Sequence, residues 1–161
     1  ILGNGILYGG NWHAWDENGA EQLIVPVLGE NIEIRGITLL DGGSWHIVPV
    51  ACKNVLIEDV NVLGKVITGD GVDIVGCENV VLRNCFIRAN DDCISIKAVE
   101  FQDPSGCTDI SLLRIACSGM QNLETHLKSD MKPGVTKLQM LFSEIVMLYI
   151  ASMRAISQVE Y

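Results

Sequence analysis

The stretch Thr68–Lys97 reads TGDGVDIVGCENVVLRNCFIRANDDCISIK. It holds two acidic turns, Gly69-Asp70-Gly71-Val72-Asp73 and Asn90-Asp91-Asp92-Cys93, with an alternating apolar segment between them. Alternation of period two is a strand pattern, and glycine, asparagine and aspartate punctuate strands as turn formers. Whether the two turns lie apart or side by side depends on the architecture around them.

Working outward, the same pattern recurs. Asn31-Ile-Glu-Ile, Asn54-Val-Leu-Ile, Asn79-Val-Val-Leu and Asp109-Ile-Ser-Leu each begin with Asn or Asp and continue in alternation, at steps of 23 (31 to 54), 25 (54 to 79) and 30 (79 to 109) residues. Cys52, Cys77 and Cys107 each stand two residues before the Asn or Asp of their unit. A second short strand follows in each unit (Ile37–Leu40, Val60–Leu63, Cys85–Arg88), then a third (Trp45–Val48, Val72–Val75, Cys93–Ile96). Units of this length cannot bury their own apolar faces and must stack on one another. The expected fold is all-β: a right-handed parallel β-helix, with aliphatic residues in the bore and Asn and Cys ladders up the turns. The leucine-rich repeat is excluded because its L-x-x-L-x-L-x-x-N/C framework is missing. Earlier in the chain, ILGNGILYGG (Ile1–Gly10) reads as strand-turn-strand and Leu23–Leu28 as a short strand.

Bulk properties narrow the function. A chain of 161 residues with 48% hydrophobic content is long enough for one domain or part of a larger one. A net charge of −9 argues against a nucleic acid or an anionic membrane as partner. No apolar run approaches the roughly 18–20 residues that cross a bilayer. Ile1 is preceded by no initiator Met, basic region or cleavage site, so the start reads as a fragment boundary. The six cysteines form no C-x-x-C pair, which disfavours zinc, and in a chain with this much apolar core they read as buried thiols. No cofactor or metal is expected.

Stacking turns the two acidic turns into a spatial expectation. Aligning Val72-Asp73-Ile74 with Ile94-Ser95-Ile96 puts Asp70 beside Asp92 and Gly69 beside Asp91, one strand spacing of about 4.8 Å apart. Asp70, Asp91 and Asp92 then crowd one sheet end, and like charges that close push at least one carboxyl up. A protonated acid beside a carboxylate base is the pairing used in glycoside hydrolysis. The plainer reading of each turn alone is turn chemistry, and clustered carboxylates also suit calcium. Equivalent positions on adjacent coils favour the catalytic reading.

The stretch resembles the polygalacturonase-type glycoside hydrolases (family 28), whose pattern is Asn-Thr-Asp-Gly-x-Asp, a Cys-x-Asn-Val strand, then Asp-Asp-Cys-Ile-x-Ile-Lys. Here the elements are Thr68-Gly69-Asp70-Gly71-Val72-Asp73 and Asp91-Asp92-Cys93-Ile94-Ser95-Ile96-Lys97. The resemblance covers roughly Ile1 to Asp109. It implies hydrolysis of a polysaccharide with inversion by a secreted or periplasmic monomer. Asp92 or Asp91 would protonate the glycosidic oxygen, while Asp70 and the other of the pair would deprotonate water. The family's Asn-Thr before the first Asp is Thr68-Gly69 here, and its Gly-His-Gly turn and Arg-x-Lys element are not found, which leaves galacturonan and neutral glycans both open. The alternative function is a non-catalytic glycan-binding or structural β-helix. A calcium-dependent lyase lacks a Lys or Arg base beside the Asp turns.

Other residues carry two readings each. Lys97 is a substrate contact at the cleft rim or a solvated strand end. His46 lines a subsite or is a satisfied structural histidine. Asp73 shapes its turn, with a substrate contact as its second role. Trp12, His13 and Trp15 stack on a sugar ring or pack as a loop over the coil edge. Residues 1–112 form the β-helix catalytic part, and 113–161 a tail in which the repeat fades and which holds all five methionines. Back-translated from Arg114 in a shifted frame, with free third bases, the tail yields N-C-V-F-W-N-A-E, G-N-A-L-E-I-G-Y-E-T-G and V-V-F-R-N-C-D-V-V-Y, which restore the coil pattern. A single-nucleotide frameshift near Ser111–Arg114 is expected in preference to a divergent helical cap, and stop codons in the other frame of the nucleotide sequence would exclude it.

Overall fold

The computed structural model describes residues 1–10, 22–97, 108–119, 141–143 and 146–147. Among them every secondary-structure element is a β-strand: β1 (Ile6–Tyr8), β2 (Glu30–Arg35), β3 (Thr38–Leu40), β4 (Lys53–Glu58), β5 (Asn61–Leu63), β6 (Val72–Val75), β7 (Glu78–Ala89), β8 (Ile94–Lys97), β9 (Thr108–Gly119), β10 (Leu141–Ser143) and β11 (Val146–Met147). Every strand pair is parallel. Three ladders result. The first stacks β2, β4 and the opening halves of β7 and β9; the second stacks β1, β3, β5 and the closing halves of β7 and β9. In the third, Ile24, Ile47, Val72 and Ile94 lie one above another. The chain is a parallel β-helix, as its repeat predicts.

Burial explains the stack. Strands of three to six residues are too short to hold alone, so each coil puts an aliphatic residue under the next. Ile34, Ile57, Leu82 and Leu112 form one such column in register, and Leu39, Val62, Ile87 and Cys117 another, all buried. The Asn ladder is present. The Asn54 amide donates to Asn31 Oδ1 at 3.1 Å and the Asn79 amide to Asn54 Oδ1 at 2.8 Å. These asparagines have φ of 58°, 54° and 55°, the left-handed region that Asn tolerates best among side chains. The Cys ladder is present too: the Cys52 amide donates to Cys77 Sγ at 3.3 Å. Cys52, Cys77, Cys85, Cys93 and Cys117 are free and buried, and burial pushes the Cys85 thiol up to about 11. Cys107 lies outside the described residues, as do Trp12, His13 and Trp15. Outside the bore, Glu58 bridges Arg35 of the coil before and Arg83 of the coil after.

Two expectations change in detail. Leu23–Leu28 and Trp45–Val48 form isolated bridges rather than strands. Pro26 sits inside the first segment and Pro49 directly after the second. A proline has no N–H for the ladder, so pairing survives only as single contacts. The first true strands of the third ladder are the proline-free β6 and β8. The second change is at the far end: β9 stays in register with β7 as far as Gly119, beyond Leu113 where the sequence repeat fades. Alternation alone sustains it, with Ile110, Leu112, Ile115 and Cys117 turned inward. β10 and β11 pair with β9 in a region whose sequence also admits a helix.

The corners fix the geometry. From the first ladder to the second, equivalent inward positions are five residues apart in every coil (Ile34 to Leu39, Ile57 to Val62, Leu82 to Ile87, Leu112 to Cys117). The corner residue is left-handed each time: Gly36, Asp59, Asn84 and Arg114, with φ of 75°, 53°, 54° and 52°. From the third ladder to the first the spacing is five in three coils (Val27 to Ile32, Val50 to Val55, Val75 to Val80) and thirteen in the last (Lys97 to Ile110). From the second ladder to the third it varies: seven residues from Leu40 to Ile47, nine from Leu63 to Val72, six from Arg88 to Ile94. That variable edge carries the acidic turns.

Arg114 is the odd corner, a long side chain where its predecessors are Gly, Asp and Asn. Its left-handed backbone costs on the order of 1 kcal/mol relative to a residue at ease there. Arg114→Asn is expected to raise the unfolding free energy by about 1 kcal/mol, measurable by urea denaturation.

Candidate active site

Each acidic turn precedes a strand of the third ladder. β6 and β8 pair Val72 with Ile94, Asp73 with Ser95, Ile74 with Ile96 and Val75 with Lys97, the register expected from sequence. The turns pair as well: the Gly71 amide donates to the Asp92 carbonyl at 2.8 Å and the Asp91 amide to the Gly69 carbonyl at 3.3 Å. Gly71 has to be glycine, because a Cβ there would sit 2.3 Å from Ile87 Cγ2 and 2.4 Å from the Cys93 carbonyl oxygen. The close approach brings the carboxylates together. The Asp92 amide donates to Asp70 Oδ1 at 3.2 Å, and single oxygens of Asp70, Asp91 and Asp92 all lie within 4.8 Å of one another. Asp70 and Asp92 are buried and Asp91 is half-buried. The spacing meets the distance requirement of a calcium site.

His46 is a structural anchor of the first turn. Its ring is fully buried; its Nε2 accepts from the Gly42 amide at 3.2 Å, which leaves Nδ1 to donate to the Asp70 carbonyl at 2.7 Å. The His46 backbone amide donates to the same carbonyl at 3.1 Å. Burial pushes its pKa below the ordinary imidazole value, against the opposing hydrogen bond to Asp70. The ring fits because residue 64 is glycine, where a Cβ would stand 2.6 Å from its Cε1.

Lys97 folds back onto the cluster. Its ammonium donates to Asp73 Oδ1, lies 3.5 Å from Asp70 Oδ2, and sits 3.5 Å from the centre of the Trp45 ring. Trp45 belongs to the coil before Asp70. Sequence reasoning left its role unassigned; its place two residues before the Ile47 bridge was the available signal. Asp73 is fully buried, although it alternates with the bore-facing Val72 and Ile74. Burial pushes its carboxyl up to about 8, with the Lys97 hydrogen bond pulling down and Asp70 adding to the rise. Asp73 thus carries a raised carboxyl because desolvation outweighs its ammonium partner.

Carboxylates held this close on a parallel stack are of the kind that can do acid–base chemistry. The model of the glycosyl hydrolases family 28 matches residues 3–120, and the chain belongs to that family. Among its relatives, a probable polygalacturonase of Vitis vinifera is 27% identical over 140 residues, covering 79% of this chain and 28% of its own length. An exopolygalacturonase of Zea mays is 34% identical over 108 residues, 60% of this chain and 26% of its own. A probable exopolygalacturonase X of Aspergillus fumigatus is 24% identical over 165 residues, 94% of this chain and 36% of its own. The chain therefore spans about a quarter to a third of the length of these relatives. No solved structure gives a significant match.

Asp73 gives a signed prediction. An acid that keeps its proton longer folded than unfolded favours folding at low pH, and that contribution is lost as pH rises from about 4 to about 8. Relative to Asp73→Asn, the wild type is expected to lose stability across that window with a slope of up to one proton, and to show no further difference above it. Urea titrations of both proteins at several pH values read this directly.

Proposed function

We propose that this chain carries the catalytic carboxylates of an inverting polysaccharide hydrolase acting on galacturonan. The observation that carries the reading is the meeting of Asp70, Asp91 and Asp92 on adjacent rungs, with oxygens within 4.8 Å of one another. The family and the names of the relatives support the reaction and the substrate. Asp92 or Asp91 donates a proton to the glycosidic oxygen, and Asp70 with the other member of the pair takes one from the attacking water. A water giving two hydrogen bonds of ~2.8 Å holds its acceptors roughly 4.6 Å apart at a tetrahedral angle, so two of these oxygens can share one water. The oxygens are closer than the about 6.5–9.5 Å between the carboxyl groups of most inverting enzymes. The third carboxylate supplies the reason: one pair can orient water while the remaining acid serves the leaving group.

Galacturonan enters through an extracellular setting, which fits a chain whose described residues include no helix long and apolar enough to cross a membrane. The catalytic unit is taken as a monomer, with residues 1–112 supplying all three carboxylates.

Reducing-sugar release from galacturonan oligomers tests the activity, with neutral glycans alongside. Asp70→Asn, Asp91→Asn and Asp92→Asn are each expected to lower kcat by about 10²-fold or more, and proton NMR of the first product is expected to show inverted anomeric configuration. Turnover unchanged in the Asp variants leaves a glycan-binding or structural role. Loss of turnover in a chelator, restored by calcium, replaces acid–base hydrolysis with a metal-dependent reaction.

A further inference from the structure

Trp45 shares a column with the aspartates. Ile47 bridges to Val72, and Val72 pairs with Ile94, so the residues two places earlier, Trp45, Asp70 and Asp92, fall on three successive rungs. The His46 amide, donating to the Asp70 carbonyl at 3.1 Å, keeps this register up to the turn. Each rung lies about 4.8 Å from the next. The surroundings of Trp45 are not those of a core tryptophan. The described core consists of aliphatic side chains and thiols, with Leu23 and Ile32 packed against it, and Trp45 is in neither group. The residue is half-buried all the same. A cation covers part of it: the Lys97 ammonium, which also donates to Asp73, sits 3.5 Å from the ring centre. A cation over one face fixes the plane of the ring. An aromatic surface outside the core, with a few placed polar groups beside it, is the usual lining of a ligand site.

We propose that Trp45 is a substrate-contact residue: the indole face turned away from Lys97 stacks on the sugar unit next to the scissile bond, on the side of the earlier coils. The inference rests on the aspartate cluster being the hydrolytic site. A pyranose carries C–H groups on its faces and hydroxyls round its rim. A flat apolar ring takes the face, and the rim groups stay free for polar neighbours. A polysaccharide lying along the column meets Trp45 and the carboxylates in turn, because all three stand at equivalent positions of successive coils. The tryptophan then supplies affinity and places the glycosidic oxygen over the aspartates.

The test compares Trp45→Ala and Trp45→Phe with wild type on galacturonan oligomers, with Trp45→Leu replacing Trp45→Ala if the latter does not fold. KM, or the dissociation constant where nothing is cleaved, should rise about 3- to 10-fold on loss of the ring and stay within about 2-fold in Trp45→Phe. An unchanged KM in Trp45→Ala with turnover retained overturns the inference and leaves hydrolysis standing. A loss that Trp45→Phe does not restore makes the residue structural and overturns it as well. Proton NMR reads the contact without any substitution at the ring that makes it. With Trp45 assigned through Trp45→Phe, and Asp92→Asn as the protein so that the oligomer stays intact, its ring protons should show Overhauser contacts to sugar C–H protons. An oligomer that binds without those contacts, or does not bind, overturns the inference. Contacts in a wild type that cleaves no glycan keep Trp45 as a sugar platform and remove the reaction.

Discussion

Parallel hydrogen bonding between successive coils holds equivalent residues one strand spacing apart, about 4.8 Å, and the rest of the molecule depends on that repeat. It forces aliphatic side chains into columns, asparagines into a ladder and a thiol into contact with the preceding coil's amide. It also forces carboxylates together that would separate on any freer scaffold. Asp70 and Asp92 are neighbours because the rungs beneath them, Val72 with Ile94 and Ile74 with Ile96, are locked by burial on the bore side. The energy that confines the charges at the edge comes from apolar packing.

Repulsion between those charges is relieved in several ways. The Asp92 amide points at the Asp70 carboxylate, and the Asp70 carbonyl is held by both the ring and the backbone of His46. Lys97 brings a positive charge from the next coil, steadied by Trp45 from the previous one. Parts of three coils therefore cooperate at one point. Loss of any one rung would displace several of these contacts.

Much of this was legible in the sequence, and the parts that were not share a physical cause. The Asn and Cys positions, the columns of Ile, Val and Leu, and the pairing of the Asp turns followed from periodicity, because register in a solenoid is a one-dimensional property. The bridges at Pro26 and Pro49 were missed because apolar content was weighed above the missing proline N–H. The partners of Lys97 could not be read from spacing alone: a flexible side chain at a strand end points outward or inward according to what its neighbours offer, and Asp73 and Trp45 lie 24 and 52 residues before it. The raised carboxyl of Asp73 was not read from the sequence because burial on a strand's outer face depends on the residues that cover it. β9 outlasts the sequence pattern because backbone pairing needs only inward apolar residues, which it retains to Cys117.

The unequal corners have a consequence for how such a molecule can change. The bend from the first ladder to the second is held at five residues by a left-handed backbone and a shared column in every coil, so an insertion there would put polar side chains into the bore. The third bend already takes seven, nine or six residues in successive coils without disturbing either flanking ladder. Length varies where the aspartates are, and in the last coil also after Lys97, where thirteen residues lead to Ile110 and the register of β7 with β9 is kept. The stack thus acts as a ruler at one bend and as a workbench at the other two. New walls around the carboxylates can arise by lengthening one loop, with no compensating substitution in the core.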